Sequence, residues 1–148
     1  MMDKWEKFNR LTSGELWFLI RALCLLPLVT LGLRLKGFKS MQSTLANRLP
    51  VGDVSIDQKA LSQAYVIARM VKVAAVHGLC RATCLPQSLV LWWLLQRRGI
   101  GSDLRFGVQR AEDRLEAHAW VEVDGVPVND TEDVRQRFNM FSDEVKEY

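Results

Sequence analysis

Ala117-His118-Ala119-Trp120-Val121-Glu122-Val123, then Asp124-Gly125, then Val126-Pro127-Val128, reads as a strand, a tight turn and a returning strand. Ala117, Ala119, Val121 and Val123 share one face, and His118, Trp120 and Glu122 the other, because successive strand side chains point to opposite sides. Asp-Gly between two such runs signals a two-residue hairpin, since both residues tolerate the left-handed backbone that the turn demands. Pro127 cannot donate to a ladder, so the returning strand belongs at an edge. Upstream, Leu104-Arg105-Phe106-Gly107-Val108 is strand-like as well. What precedes it has helical character, so the order is helices first and a small antiparallel sheet after, an α+β domain.

A helix is expected immediately before the strands, starting near Thr83-Cys84. Thr83 can cap it, and Pro86 falls in the first turn, where its missing N–H is not needed. Leu89 to Leu95 is apolar on every side, which implies burial all round. Gln96, Arg97 and Arg98 bring positive charge to the negative end of the helix, and Gly99 stops it. An earlier helix opens at Ser55 or Asp57, with Leu61, Ala64, Tyr65, Ala68 and Val71 at three- and four-residue spacing. It ends at His77-Gly78, with Gly78 suited to a left-handed position. Residues 49 to 55, containing Pro50 and Gly52, read as a connector.

Composition bounds the function. The 148 residues are 49% apolar and 25% charged, which is globular, and a net charge of +3 is too mild to point to nucleic acid. Three cysteines make no disulfide framework, so reduced thiols in a cytoplasmic setting are expected. Charge is uneven: up to Arg48 eight basic residues face three acidic ones, whereas from Asp130 six acidic residues outnumber three basic ones. This is read as solvated surface, with a basic face meeting an acidic partner as the sharper alternative.

The apolar run Leu16 to Leu33 has the minimum length for a membrane span, about 18 residues. Arg21 lies inside it, Pro27 interrupts helix hydrogen bonding and Gly32 weakens its end. The reading adopted is a helical hairpin or kinked helix, with Ser13 helping to cap it, buried against the core or a partner. Peripheral contact with a membrane is the alternative.

Three residues sit where nucleophilic catalysis would need them. At a helix N-terminus, unpaired N–H groups and the helix dipole favour a Cys84 thiolate. His118, on a strand, can take or donate the thiol proton. Asp130 follows twelve positions later, across the hairpin, so Asp130 or Asn129 can orient the imidazole. Each alone has an ordinary structural reading: core thiol, hydrogen-bonded histidine, solvated carboxylate. Trp120 shares a face with His118, which makes it a candidate substrate-binding wall as well as a packing residue. A rival reading takes His77, Cys80, Cys84 and His118 as zinc ligands, although the spacing matches no usual knuckle. Cys24 and Cys80 otherwise read as inert thiols. The chain carries no Walker loop, no dinucleotide fingerprint and no iron–sulfur spacing.

Thr83-Cys84-Leu85-Pro86-Gln87-Ser88-Leu89 with Leu94-Leu95-Gln96-Arg97-Arg98-Gly99-Ile100 resembles the cysteine segment of the transglutaminase-like leader peptidases of lasso-peptide biosynthesis. His118-Ala119-Trp120-Val121-Glu122-Val123-Asp124-Gly125 and Val128-Asn129-Asp130 resemble their histidine and aspartate segment. The blocks cover roughly residues 80 to 133.

The resemblance implies a papain/transglutaminase-like cysteine protease fold over residues 51–148, behind a basic, leucine-rich helical region over 1–50. It implies a Cys-His-Asp peptidase that removes the leader from a ribosomally made lasso precursor peptide, with Cys84 as nucleophile, His118 as base and acid, and Asp130 as orienting residue. In this family the function is one fused chain or two proteins; the residues before the cysteine block do not read as the family's winged-helix recognition module. The chain therefore looks like the stand-alone peptidase half, with a separate leader-recognition protein and an asparagine-synthetase-like lasso cyclase as partners. No cofactor or metal is expected; ATP, described for some members, has no site in this sequence. A related acyl-transfer enzyme, of transglutaminase or amidase type, and a non-catalytic peptide-binding scaffold are the alternatives.

Overall fold

The computed structural model describes residues 12–46, 57–78 and 82–140. The connector expected over 49–55, and Cys80, lie outside the described residues. Helix α1 spans Ser13–Lys36 and α2 Phe38–Ala46. Thr12 caps α1, not Ser13: its Oγ1 accepts from the Glu15 N–H at 3.3 Å, and the Glu15 carboxylate accepts from the Thr12 N–H at 2.9 Å, a reciprocal capping box. The helix runs through Pro27. Phe18, Leu19, Ala22, Leu26 and Val29 are buried on both sides of it, and that packing holds one continuous rod. The chain reverses only at Gly37, in the left-handed region (φ 80°), and α2 folds back so that Met41 covers Gly32.

Helix α3, Gln58–His77, starts at Asp57, whose side chain accepts from the Ala60 N–H at 2.7 Å. Its buried stripe includes Ala60, Ala64, Ala68, Ala74 and Ala75, small residues that let α1 approach closely. Gly78 is extended (φ −75°, ψ 178°) rather than left-handed. Its requirement is space: a Cβ there would lie 2.5 Å from the Ala74 carbonyl oxygen and 3.3 Å from Leu23.

Helix α4, Cys84–Arg97, is buried from Ser88 to Leu95 except at the half-buried Trp92, close to the all-round burial expected of its apolar run. It ends in a Schellman motif, with Ile100 N–H bonded to Leu95 and Gly99 N–H to Gln96, and Gly99 left-handed at φ 73°. Strands β1 (Asp103–Ala111), β2 (Arg114–Val123), β3 (Val126–Pro127) and β4 (Asn139–Met140), with a one-turn helix α5 (Val134–Arg137) before β4, complete the domain. The antiparallel sheet has the order β3-β2-β1-β4. Asp124 (φ 52°) and Gly125 (φ 76°) form the hairpin turn, and Pro127 is in the edge strand, both as expected. β1 and β2 run further than their apolar alternation, closing at Glu112-Asp113 with Glu112 left-handed.

The sheet is covered on both faces. Val121 and Val123 join the helices in the main core, while Trp120 packs with Val134 and Phe138 in a second, smaller one. Glu122 shares that second face and is fully buried. Its carboxylate accepts from Trp120 Nε1 (2.9 Å), Arg135 Nε (2.7 Å) and Arg105 Nε (3.3 Å). Burial alone would raise its pKa, but these donors and the two guanidinium charges outweigh it and hold the group below its ordinary value. The ion pair to Arg135 thereby clamps the C-terminal segment onto β2.

Candidate active site

Cys84 is the first residue of α4, half-buried and a free thiol. Thr83 holds the N-cap position, but its side chain makes no capping hydrogen bond, contrary to expectation. Gln87 instead turns back, donating from Nε2 to the Ala82 carbonyl at 2.7 Å. Pro86 has no N–H to offer, so the Cys84 and Leu85 N–H groups are the first-turn donors at this end.

Cys84 and His118 line one cavity of about 440 Å³, with Phe38, Leu85, Phe106 and Gly107 among its other walls. It is almost wholly apolar, and Phe38 meets Phe106 edge-to-face at 5.1 Å. Among the described residues no hydrogen bond joins the Cys84 sulfur to His118; the two are brought together by the cavity they share. His118 Nε2 is hydrogen-bonded to Asp130 Oδ2. Asp130 Oδ1 accepts from the Thr131 N–H (2.7 Å) and from Arg137 Nη2 (2.7 Å). Burial pushes the Asp130 carboxyl upward, but the hydrogen bonds from His118 and Thr131 and the charges of His118 and Arg137 prevail, so its pKa is lowered. An ionised Asp130 accepts, which makes Nε2 the donor and leaves Nδ1 as the other ring nitrogen.

Asp130, not Asn129, contacts the imidazole. Asn129 has a different task. Its Oδ1 accepts from the Val121 N–H (2.8 Å), and its Nδ2 donates to Ser88 Oγ (3.0 Å). The Ser88 hydroxyl, fully buried, donates in turn to the Ala119 carbonyl (2.9 Å). One hydroxyl a single turn beyond Cys84 therefore ties α4 to the residue after His118 and to the residue before Asp130. The signal for it was present as the one hydroxyl residue in the helix, at the head of its apolar run, but nothing local showed what it bonds.

Trp120 is fully buried and lies behind His118, with ring centroids 6.0 Å apart; it is not among the cavity walls. Phe138 stacks on His118 at 4.9 Å, so the imidazole is held between the sheet and the clamped C-terminal segment. Gly107, paired with His118 across the strands, is needed for closeness: a Cβ there would stand 2.8 Å from Phe138 Cβ and 3.1 Å from the Trp120 ring. His77 ends α3, and no group of three or more His, Cys, Asp or Glu side chains gathers to hold a metal among the described residues.

A thiol at a helix N-terminus, an imidazole in the same cavity and a carboxylate fixing that imidazole form a constellation capable of acyl transfer. No curated protein and no solved structure matches the chain. The family model of the transglutaminase-like superfamily, a group of cysteine peptidases and acyl-transfer enzymes, matches residues 25–143 and so takes in helices and sheet alike. With its N-terminal helices followed by a small antiparallel sheet, the chain belongs to the transglutaminase-like superfamily.

Proposed function

We propose that the protein is a cysteine peptidase that removes the leader from a ribosomally made lasso precursor peptide, acting with a separate leader-recognition protein and alongside an asparagine-synthetase-like cyclase. The observation that carries this reading is the His118–Asp130 pair at a cavity that Cys84 also lines. The choice of a lasso precursor rests on the sequence resemblance of the blocks around Cys84 and His118.

In this reading the Cys84 thiol gives its proton to His118 Nδ1, and the sulfur attacks the carbonyl carbon of the leader's last residue. The oxyanion is met by first-turn N–H groups of α4, the Cys84 N–H among them. Collapse breaks the C–N bond; His118 returns the proton to the departing amine of the core peptide, leaving the leader as a thioester on Cys84. Water, deprotonated by His118, then attacks the thioester, freeing the leader's carboxylate and restoring the thiol. Asp130 keeps Nε2–H engaged, so that Nδ1 does the proton transfer and the imidazolium is stabilised.

The test mixes purified protein, the leader-recognition partner and precursor peptide, with products read by mass spectrometry and Cys84→Ala run alongside. One cut between leader and core, absent with Cys84→Ala and much slower without the partner, is expected. Joining of an added amine to an uncut chain would assign the site to acyl transfer instead. A stable complex without turnover in either protein would sink catalysis.

A further inference from the structure

Helix α1 is long and apolar enough to cross a membrane, with a mean hydropathy of 2.1 over its most apolar 18 residues, yet it lies along the domain with only one face buried. Its outward side carries Leu16, Trp17, Ile20, Leu23, Leu28, Leu31 and Leu35, all exposed; Leu28 is 62% and Leu31 55% accessible. These positions form one stripe, since at about 100° per residue they fall within about 140° of the helix circumference. From Leu16 to Leu35 it is about 28 Å long at 1.5 Å per residue. Exposed apolar surface of this extent calls for a covering.

Charge flanks the stripe at both ends. Beside Trp17 a cavity of about 300 Å³ is lined by Arg21, Arg97 and Arg98 with Trp17 and Phe18. Arg21 lies over the Trp17 ring at 4.0 Å and Arg98 over Phe18 at 4.7 Å; no acidic side chain pairs with any of the three among the described residues. At the far end stand the exposed Arg34, Lys36 and Lys39. Between Leu16 and Gly52 the sequence has five basic residues and no acidic one.

We propose that α1 lies in the plane of an anionic lipid surface, with its leucine stripe among the acyl chains and the two basic clusters on phosphate headgroups. Three observations favour lipid over a protein partner. Between Leu23 and Leu31 the exposed side chains offer hydrogen-bonding capacity only at the Cys24 thiol, whereas protein interfaces carry about one hydrogen bond per 100–200 Å². It is a ridge along a rod and not a groove, so it requires no complementary shape. Positive charge without opposing acid at both ends suits a uniformly anionic plane. Spanning is excluded by the fold, because Phe18, Leu19, Ala22, Leu26 and Val29 of the same helix belong to the main core.

The test is co-sedimentation of the full chain with vesicles of phosphatidylcholine alone and of phosphatidylcholine with phosphatidylglycerol. Wild type should pellet with the anionic vesicles and largely stay in solution with the neutral ones. Leu28→Glu with Leu31→Glu should lower the partition at least about 100-fold, by placing charge in the acyl layer. Arg34→Glu with Lys36→Glu and Lys39→Glu should lower it by about the same factor, from roughly a fivefold loss per headgroup contact. Should the leucine pair variant lose its helical circular dichroism, the triple charge reversal, at exposed sites only, carries the test alone. Wild-type protein left in solution with anionic vesicles would overturn the proposal. So would a dimer that Leu28→Glu with Leu31→Glu dissociates, which would assign the stripe to a second copy of the chain.

Discussion

Ser88→Ala removes one oxygen atom and unties three elements. The hydroxyl donates to Ala119 at 2.9 Å and accepts from Asn129 at 3.0 Å, in a place without solvent. Each of the two hydrogen bonds contributes about 1 kcal/mol net, and a buried partner left unsatisfied costs about 1–3 kcal/mol. The Ala119 carbonyl stays buried, but Asn129 is only half-buried and can turn its amide toward water, which limits the second penalty. The sum is about 2–3 kcal/mol, or a fall in melting temperature of roughly 6–9 °C for a domain of this size. The functional consequence goes beyond stability. Without the tie, the start of α4 is free to move against the strand and loop that hold His118 and Asp130, and a displacement near 1 Å costs up to about 100-fold in rate. The loss should appear in kcat with KM little changed, because the cavity walls are untouched. Thermal melts followed by circular dichroism, together with kinetics in the proposed leader-cleavage assay below the variant's melting range, measure both quantities. A shift under about 1 °C with unchanged kcat would refute the claim that this hydroxyl joins the three elements.

Under the proposed mechanism, Asp130→Asn keeps the shape of the side chain but removes the charge that would stabilise the imidazolium and fix its tautomer; kcat should fall about 100-fold or more while the fold survives, and an unchanged kcat in steady-state assays would separate Asp130 from the chemistry. Glu122→Gln should cost about 2–3 kcal/mol at neutral pH in urea titrations, less than the ~3–5 typical of breaking a fully buried pair, because Arg135 is 45% exposed and can be hydrated. Acid should weaken the wild type through the same group. Its folded pKa is depressed, so its stabilisation is complete above the ordinary 4.5 and is lost as pH falls through the lower folded value. Asp130 adds loss in the same direction below its ordinary 3.8. Urea midpoints compared at neutral and acidic pH should therefore drop further for wild type than for Glu122→Gln; parallel drops would show that Glu122 carries none of it.

The sequence by itself determined the features whose causes are local. Alternation laid out β2, the Asp124-Gly125 pair placed its turn, and the apolar run from Leu89 to Leu95 announced a buried rod ending at Gly99. Cys84, His118 and Asp130 were legible as a set because each stands at an element boundary or face that can be read from its neighbours. Tertiary packing decided the rest. Pro27 reads as an interruption of the helix hydrogen bonding, compatible with a kinked helix or a hairpin, and the buried residues on either side carry one helix through it. Gly78 reads as a left-handed stop, yet it is extended and small because Leu23 of another helix comes near. Asn129 stood beside Asp130 as a second candidate for orienting the imidazole, and the hydrogen bond of His118 to Asp130, with that of Asn129 to Ser88, 41 positions away, separates their roles. Alternation placed Trp120 beside His118 but could not say whether that face met substrate or core; Phe138 and Val134, arriving from the C-terminal segment, bury it. Sequence pattern reports the preferences of neighbours within about one helical turn or one hairpin. Which distant surface arrives to satisfy or override them is settled only when the chain closes on itself.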